Sequence, residues 1–443
     1  MNTPICSFLE KYASDENLRL HMPGHKGLGG ACEDHDLTEI SGADSLYEAS
    51  GIIKESEDNA SRLFGSYTLY STEGSSLAIR AMLYLAMLEK NDGGRPTVLA
   101  GRNAHKVFLS AAALLDFDIE WIAGKSDSYL SANPSAKEVE QKLDSMAKKP
   151  IAVYITSPDY LGNTSDIRGL AKVCKERGIL LLVDNAHGAY LAFTTPCVHP
   201  IALGADMCAD SAHKTLPCLT GAAYLHIADT VSEGVRDRAK AALALFGSTS
   251  PSYLILESLD RANAYIEDGY REKLASFAEK LCGVKERLAI AGYETVGNEP
   301  MKLTIAPKSY GYTGYELAEI LEGERIVPEF ADPDFLVLMP TPEISDAELA
   351  RVEMLLCSLE RREAISAKAP DFVLPARRLS PREAVLSAAE KISITEAEGR
   401  ILADITVGCP PAVPIAVSGE EIDKNTVKVF KYYGIETCSV IKK

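Results

Sequence analysis

The stretch "GADMCADSAHKTLPCLTGAAYLHI", residues 204–227, decides how the rest of the chain is read. Its two ends look like short buried strands, and between them Lys214 follows a histidine among small and apolar neighbours. A lysine is costly to bury. Desolvation lowers the pKa of its ammonium group, and a lysine that can lose its proton is a nucleophile toward carbonyls. The bland alternative is a loop lysine whose head snorkels to solvent. Lys214 alone leaves both readings open.

Working outward, short apolar runs recur: "PTVLA" (96–100), "IEWIA" (119–123), "IAVYIT" (151–156), "ILLLV" (179–183), "ADMCA" (205–209) and "AAYLHI" (222–227). Between them lie helix-like segments such as "SAKEVEQKLDSMAKK" (135–149) and "RGLAKVCKERG" (168–178). Strands that are apolar on both faces and alternate with helices indicate an α/β protein with a largely parallel sheet covered on both sides. Residues 1–60, with Gly24, Gly27, Gly29 and Gly30 and no long periodic element, read as an arm. A long amphipathic region over 250–292 leads to "MKLTIAP", "YELAEILEGE", "RIVPEF" and "FLVLMP", the parts of a small α+β domain. The expected division is an arm (1–60), a large domain (61–285), a small domain (286–368) and a C-terminal domain (369–443).

A chain of 443 residues exceeds what one core supports, in line with several domains. The net charge of −17 argues against sequence-independent nucleic-acid binding, which needs a basic surface. The N-terminus shows no basic segment followed by an apolar run. "LAIRAMLYLAML" (77–88) is too short for a bilayer and carries Arg80. Ten cysteines without a CxxC pair fit reduced thiols. A cytoplasmic protein without membrane, metal or nucleic-acid partners is expected.

In open parallel sheets, ligands bind beyond the carboxyl ends of the strands. That rule selects Asp184 after "ILLLV", Ser211, His213 and Lys214 after "ADMCA", and His105 in "GRNAHK" after "PTVLA". Gly74, Ser75 and Ser76 stand just before a helix, where free backbone N–H groups and hydroxyls suit a phosphate. A carboxylate at a buried strand end can keep a pyridine nitrogen protonated, worth about 4 kcal/mol at ~4 Å if the effective dielectric is about 20. An imidazole can stack on the ring, and a lysine can form a Schiff base with an aldehyde. These are the demands of pyridoxal phosphate. Singly, each residue has a plainer explanation: Gly74-Ser75-Ser76 and Asp184 as helix caps, His105 and His187 as satisfied polar groups. Together they are harder to explain away.

The same residues carry a family resemblance. "HMPGHKG" (21–27), "STEGSS" (71–76), "GRNAHK" (101–106), "VDNAHGAY" (183–190), "SAHKTLPCLTGAAYLH" (211–226), "STSPSY" (248–253), "GYTGYELAEIL" (311–321), "RIVPE" (325–329), "SPREA" (380–384) and "PPAVPIAVSGE" (410–420) follow one another as in the pyridoxal-phosphate-dependent ornithine/lysine/arginine decarboxylases. The resemblance covers nearly the whole chain. It implies fold type I, the aspartate-aminotransferase type, with a mostly parallel seven-stranded sheet. It also implies the shorter, biosynthetic branch without an N-terminal wing domain.

By the resemblance, Lys214 forms the internal Schiff base, Asp184 pairs with the ring nitrogen, His105 stacks on the ring and His187 lies beside it. Ser75, Ser76, Ser211 and His213 lie at the phosphate, with Thr249 or Ser250 from a partner subunit. His213 or Lys214 returns the proton to the α-carbon. Glu329 meets the distal cation of a basic amino acid, and the active unit is at least a homodimer. The motif holding His21, His25 and Lys26 is expected near the active-site entrance. Asn185, Tyr190, Met22 and "CPPAVP" depart from the usual pattern and bear on substrate preference. The implied activity is decarboxylation of arginine, lysine or ornithine to the amine, as in polyamine biosynthesis. An aminotransferase or α-oxoamine synthase also carries an Asp-x-Ala-His stretch before its lysine, but not typically a His immediately before it or the "HMPGHK" arm. A catalytically silent paralogue is the remaining alternative.

Overall fold

The computed structural model describes residues 1–15, 17–28, 32–90, 93–123, 128–409 and 413–443, without the side chain of Cys409. Gly29, Gly30 and the Pro410–Ala412 part of the C-terminal motif lie outside the described residues. Two helices, α1 (Pro4–Ser14) and α2 (Ile52–Phe64), stand in or enter the region expected to be an arm. They form because short apolar stripes suffice when a partner is at hand: Ile5, Cys6 and Leu9 of α1 are buried, and α1 packs on α2.

From there strands and helices alternate. β1 (Tyr67–Ser71), α3 (Gly74–Glu89), β2 (Thr97–Gly101), α4 (Lys106–Leu115), β3 (Asp118–Ile122), α5 (Ala136–Ser145), β4 (Ala152–Thr156), α6 (Ile167–Glu176) and β5 (Leu180–Asp184) come first. α7 (Pro200–Leu203), β6 (Met207–Asp210), α8 (Ala212–Thr215), β7 (Ala223–Ile227), α9 (Glu233–Phe246), α10 (Tyr253–Glu267) and α11 (Tyr270–Ala291) follow. The sheet is seven-stranded, in the order β1-β7-β6-β5-β4-β2-β3. β5 and β6 are parallel, as are β2 and β3, whereas β7 runs antiparallel to both β6 and β1. Six of these strands match the apolar runs read from sequence. β1 was not anticipated: "YTLYS" mixes hydroxyl-bearing residues with a single aliphatic one and forms no apolar run, yet all but Tyr67 are buried. α10 and α11 break at Gly269, whose φ of +78° is a left-handed value glycine adopts without strain.

The chain packs as two units: residues 1–94, 151–154 and 167–273, and residues 95–150, 155–166 and 274–443. In the first, α3 lies against β5, β6, β7 and α9. The second contains the four-stranded sheet β10-β11-β9-β8, from β8 (Glu294–Val296), β9 (Leu303–Ala306), β10 (Phe330–Ala331) and β11 (Leu336–Leu338), with α12 (Gly314–Gly323) and α13 (Asp346–Ser358). It also holds α14 (Pro381–Leu386), β12 (Ala389–Ser393), β13 (Thr406–Cys409), β14 (Val413–Val417), α15 (Lys424–Tyr432) and β15 (Thr437–Ile441). Phe330, Val337, Leu402, Ile415, Phe430 and Val440 share one apolar cluster there, so the C-terminal segment is built into this unit's core. Among the described residues no helix is long and apolar enough to cross a membrane.

Candidate active site

The strand ends of the first unit bring most of the expected residues together. Asp184 is the last residue of β5 and is 1% exposed. Its Oδ2 accepts the Tyr154 hydroxyl at 3.0 Å, and its Oδ1 accepts the Ala186 N–H at 3.2 Å. Burial drives its pKa up. The charge of Lys214, the Tyr154 hydroxyl and the Ala186 N–H only partly offset that rise, and the nearby charge of Asp210 adds to it.

Lys214 stands in α8, a single helical turn after β6, and is half-buried. Its Nζ lies 3.1 Å from Nε2 of the buried His187, so an ammonium here donates to a neutral imidazole. His213 is half-buried, and burial lowers its pKa. Its Nδ1 lies 2.9 Å from the Ala222 carbonyl, to which it donates, leaving Nε2 as the nitrogen able to exchange a proton. Ser211 donates to the Ser75 hydroxyl at 2.8 Å, joining the end of β6 to the first turn of α3, where Ser76 is also half-buried. Gly221, at φ +101°, packs closely on the turn that leads into α3, where a Cβ would lie 2.9 Å from the Thr72 carbonyl oxygen. Thr249 and Ser250 are exposed on the loop after α9.

On the next strand, Asp210 is fully buried and has an unlike environment. Because Asp184 pairs with Ala209 and neighbours in a strand point to opposite faces, Asp184 and Asp210 face opposite ways. Asp210 Oδ1 accepts from the Asn185 amide (2.8 Å) and the Cys208 thiol (3.3 Å). Its Oδ2 lies 3.0 Å from Nε2 of His199 and 3.2 Å from that of His226, the latter an ion contact without hydrogen-bond alignment. Burial alone would raise the Asp210 pKa, but the two imidazoles outweigh it and hold the carboxyl well below the usual range. Asn185, one of the departures from the family pattern, is thus occupied with Asp210.

His105 and Glu329 belong to the second unit. His105 caps α4, its Nδ1 accepting the Val107 N–H at 3.3 Å, which leaves Nε2 to carry the ring proton. Glu329 is exposed, and its Oε1 accepts the Tyr160 hydroxyl at 2.8 Å. The reading from sequence missed Tyr154, Tyr160, His199 and Asp210. For Tyr154 a signal existed, a hydroxyl inside the apolar run "IAVYIT"; for His199 there was none.

These residues fit pyridoxal phosphate. A buried carboxylate short of positive charge suits a pyridinium, Lys214 offers an amine, and Ser75 and Ser211 present paired hydroxyls. The sheet order and the small domain define the class: an α/β enzyme of the pyridoxal-phosphate fold type I. Solved structures agree on the fold. The Francisella novicida lysine decarboxylase LdcF has a TM-score of 0.83 at 19% identity, with 99% of this chain and 81% of that one covered. The Escherichia coli constitutive lysine decarboxylase scores 0.76 at 18% identity, covering 100% and 82%.

The sequence is similar to the uncharacterized protein YaaO of Bacillus subtilis (strain 168), 32% identical over 97% of this chain and 93% of the relative. It is 28% identical to an arginine decarboxylase of the same organism, with the same coverage. The model for the Orn/Lys/Arg decarboxylase major domain matches residues 3–291, and that for the C-terminal domain matches 362–438. The chain belongs to the Orn/Lys/Arg decarboxylase family.

Proposed function

We propose that the chain removes the α-carboxylate of a basic amino acid as carbon dioxide, with arginine as the first substrate to test and pyridoxal phosphate as cofactor. The observation that best supports this reading is the buried Asp184 carboxylate, short of positive charge, at the neighbouring strand end to the Lys214 turn. Lys214 would hold the cofactor's aldehyde carbon and Asp184 its ring nitrogen. Ser75, Ser76, Ser211 and His213 would hold its phosphate, helped by Thr249 or Ser250 of a second copy, and His105 and His187 would flank the ring. When bound, the cofactor supplies an electron-accepting ring for the pair released as the C–C bond breaks.

The protein's own part is to place groups and move protons. Tyr154 fixes the Asp184 carboxylate. His187, within hydrogen-bond reach of Lys214, can take a proton from Nζ at Nε2. His213 Nε2 or Lys214 Nζ returns a proton to the α-carbon. Glu329 has Oε2 free of the Tyr160 bond to receive the substrate's distal cation, and a guanidinium can engage a carboxylate at two points where an ammonium meets it at one.

The test is an assay of the cofactor-loaded protein against arginine, lysine and ornithine, reading the amine and carbon dioxide. The expected outcome is amine formation without a keto-acid acceptor, lost in Lys214→Ala by about a thousandfold or more. Glu329→Gln should reduce discrimination between lysine and norleucine by about tenfold. Turnover that requires a keto acid would instead mark an aminotransferase.

A further inference from the structure

In the second unit, the His105 turn is tied to the C-terminal segment by a buried ion pair. Arg102 and Glu420, 318 positions apart, are 3% and 1% exposed. Their contact is a two-pronged fork, Nη1 to Oε1 at 2.7 Å and Nη2 to Oε2 at 2.8 Å. Nη2 also donates to the Ile415 carbonyl, and Glu420 Oε2 accepts the Val417 N–H. The guanidinium lies 4.8 Å from the ring centre of Trp121, the chain's single tryptophan.

Arg102 follows the end of β2, and the turn Gly101–His105 closes through the Ala104 N–H to Gly101 carbonyl bond before His105 caps α4. Two more C-terminal arginines hold the same β2–α4–β3 segment. Arg382 donates to the Ala113 and Leu114 carbonyls near the end of α4, and Arg377 to the Ile119 carbonyl of β3. Glu420, Arg377 and Arg382 all lie within the stretch matched by the family's C-terminal domain model. A buried charge pair is a weak source of net stability compared with apolar packing, but it fixes geometry because either partner alone is costly to bury.

We propose that Arg102 and Glu420 are positioning residues, through which the C-terminal domain sets the place and tilt of the His105 imidazole toward the cofactor ring. The inference rests on the proposed role of His105. It gives the C-terminal domain a part in the chemistry through the His105 turn.

Trp121 makes the pair observable without an activity assay. Glu420→Gln and Arg102→Lys should each shift Trp121 emission, change the visible circular dichroism of the bound cofactor and raise its dissociation constant about tenfold. Glu390→Gln, which breaks the separate Arg400–Glu390 pair of the same domain, should change none of these. If Glu420→Gln does not fold, Arg102→Lys decides alone, since it keeps the charge and loses the fork. Shifted Trp121 emission with unchanged dichroism and affinity overturns the inference and leaves the pair purely structural. His105→Gln separates the two claims. Unchanged dichroism in that variant sinks the role of His105 itself, whereas a change there without one in Arg102→Lys sinks only the coupling.

Discussion

Asp184 and Asp210 end adjacent parallel strands, both almost wholly out of water, and yet their acidities move in opposite directions. Asp210 is surrounded by two imidazoles, an amide and a thiol. Asp184 has a phenol, one backbone N–H and the charge of Lys214. The protein has satisfied one anion with its own groups and left the other short. A buried charge left under-compensated costs stability, and the natural explanation is a positively charged ligand atom that arrives later. The contrast therefore separates the carboxylate that holds the scaffold from the one that serves the chemistry.

The largest expected effect breaks the contrast on the functional side. In Asp184→Asn, an anion worth about 4 kcal/mol to a neighbouring cation is lost, so turnover should fall about a thousandfold. The cofactor-free variant should nonetheless be more stable than wild type at pH 7, by about 1–3 kcal/mol in urea unfolding. Because the folded-state pKa of Asp184 is raised, its cost is absent below about pH 3.9 and grows as the pH rises. The advantage of the variant should therefore widen from pH 4 to pH 7. A variant less stable than wild type across that range would show that Asp184 is fully compensated by the protein.

Next in size, Asp210→Asn places an amide where three donors converge beside a second imidazole, and should cost about 3 kcal/mol of stability at pH 7. Here the sign is reversed. The folded-state pKa of Asp210 is depressed, so its contribution is present above about pH 3.9 and fades as the pH falls. The gap between variant and wild type should close in acid, as denaturation followed by circular dichroism would record. A gap that stays constant from pH 7 to pH 3 would remove the charge from the explanation.

The smallest effect sharpens the comparison. Tyr154→Phe removes one of the two hydrogen bonds to Asp184 while keeping the ring, with a loss of about 1 kcal/mol of stability. Turnover should fall about five- to tenfold. A drop as large as that of Asp184→Asn would mean that the phenol is itself part of the reaction.

How much of this could be read from the chain alone differs by residue. Asp184, Ser211, His213 and Lys214 follow apolar runs, so the strand-end rule finds them without any coordinates. Ser75 and Ser76 follow from a glycine at a helix start, although the structure takes all of Gly74, Ser75 and Ser76 into the first turn of α3 instead of leaving them before it. Tyr154 sits within such a run and was hidden by it. His199 lies in "CVHP", on no recurring pattern, and gains its meaning only when β6 delivers Asp210 to it. Likewise the arm region held an apolar stripe in α1 too short to stand out until α2 packed against it.

Sequence determined the alternation of buried strands and helices, the rim on which a lysine and a carboxylate would gather, and the family. Those features are local, written in spacing and residue type within a few positions. Tertiary structure alone decided which of two buried carboxylates would be satisfied, that Asn185 serves Asp210, and that Glu420 closes on Arg102 across 318 positions. The protonation balance of a buried group depends on what long-range folding places around it, and no local pattern carries that information.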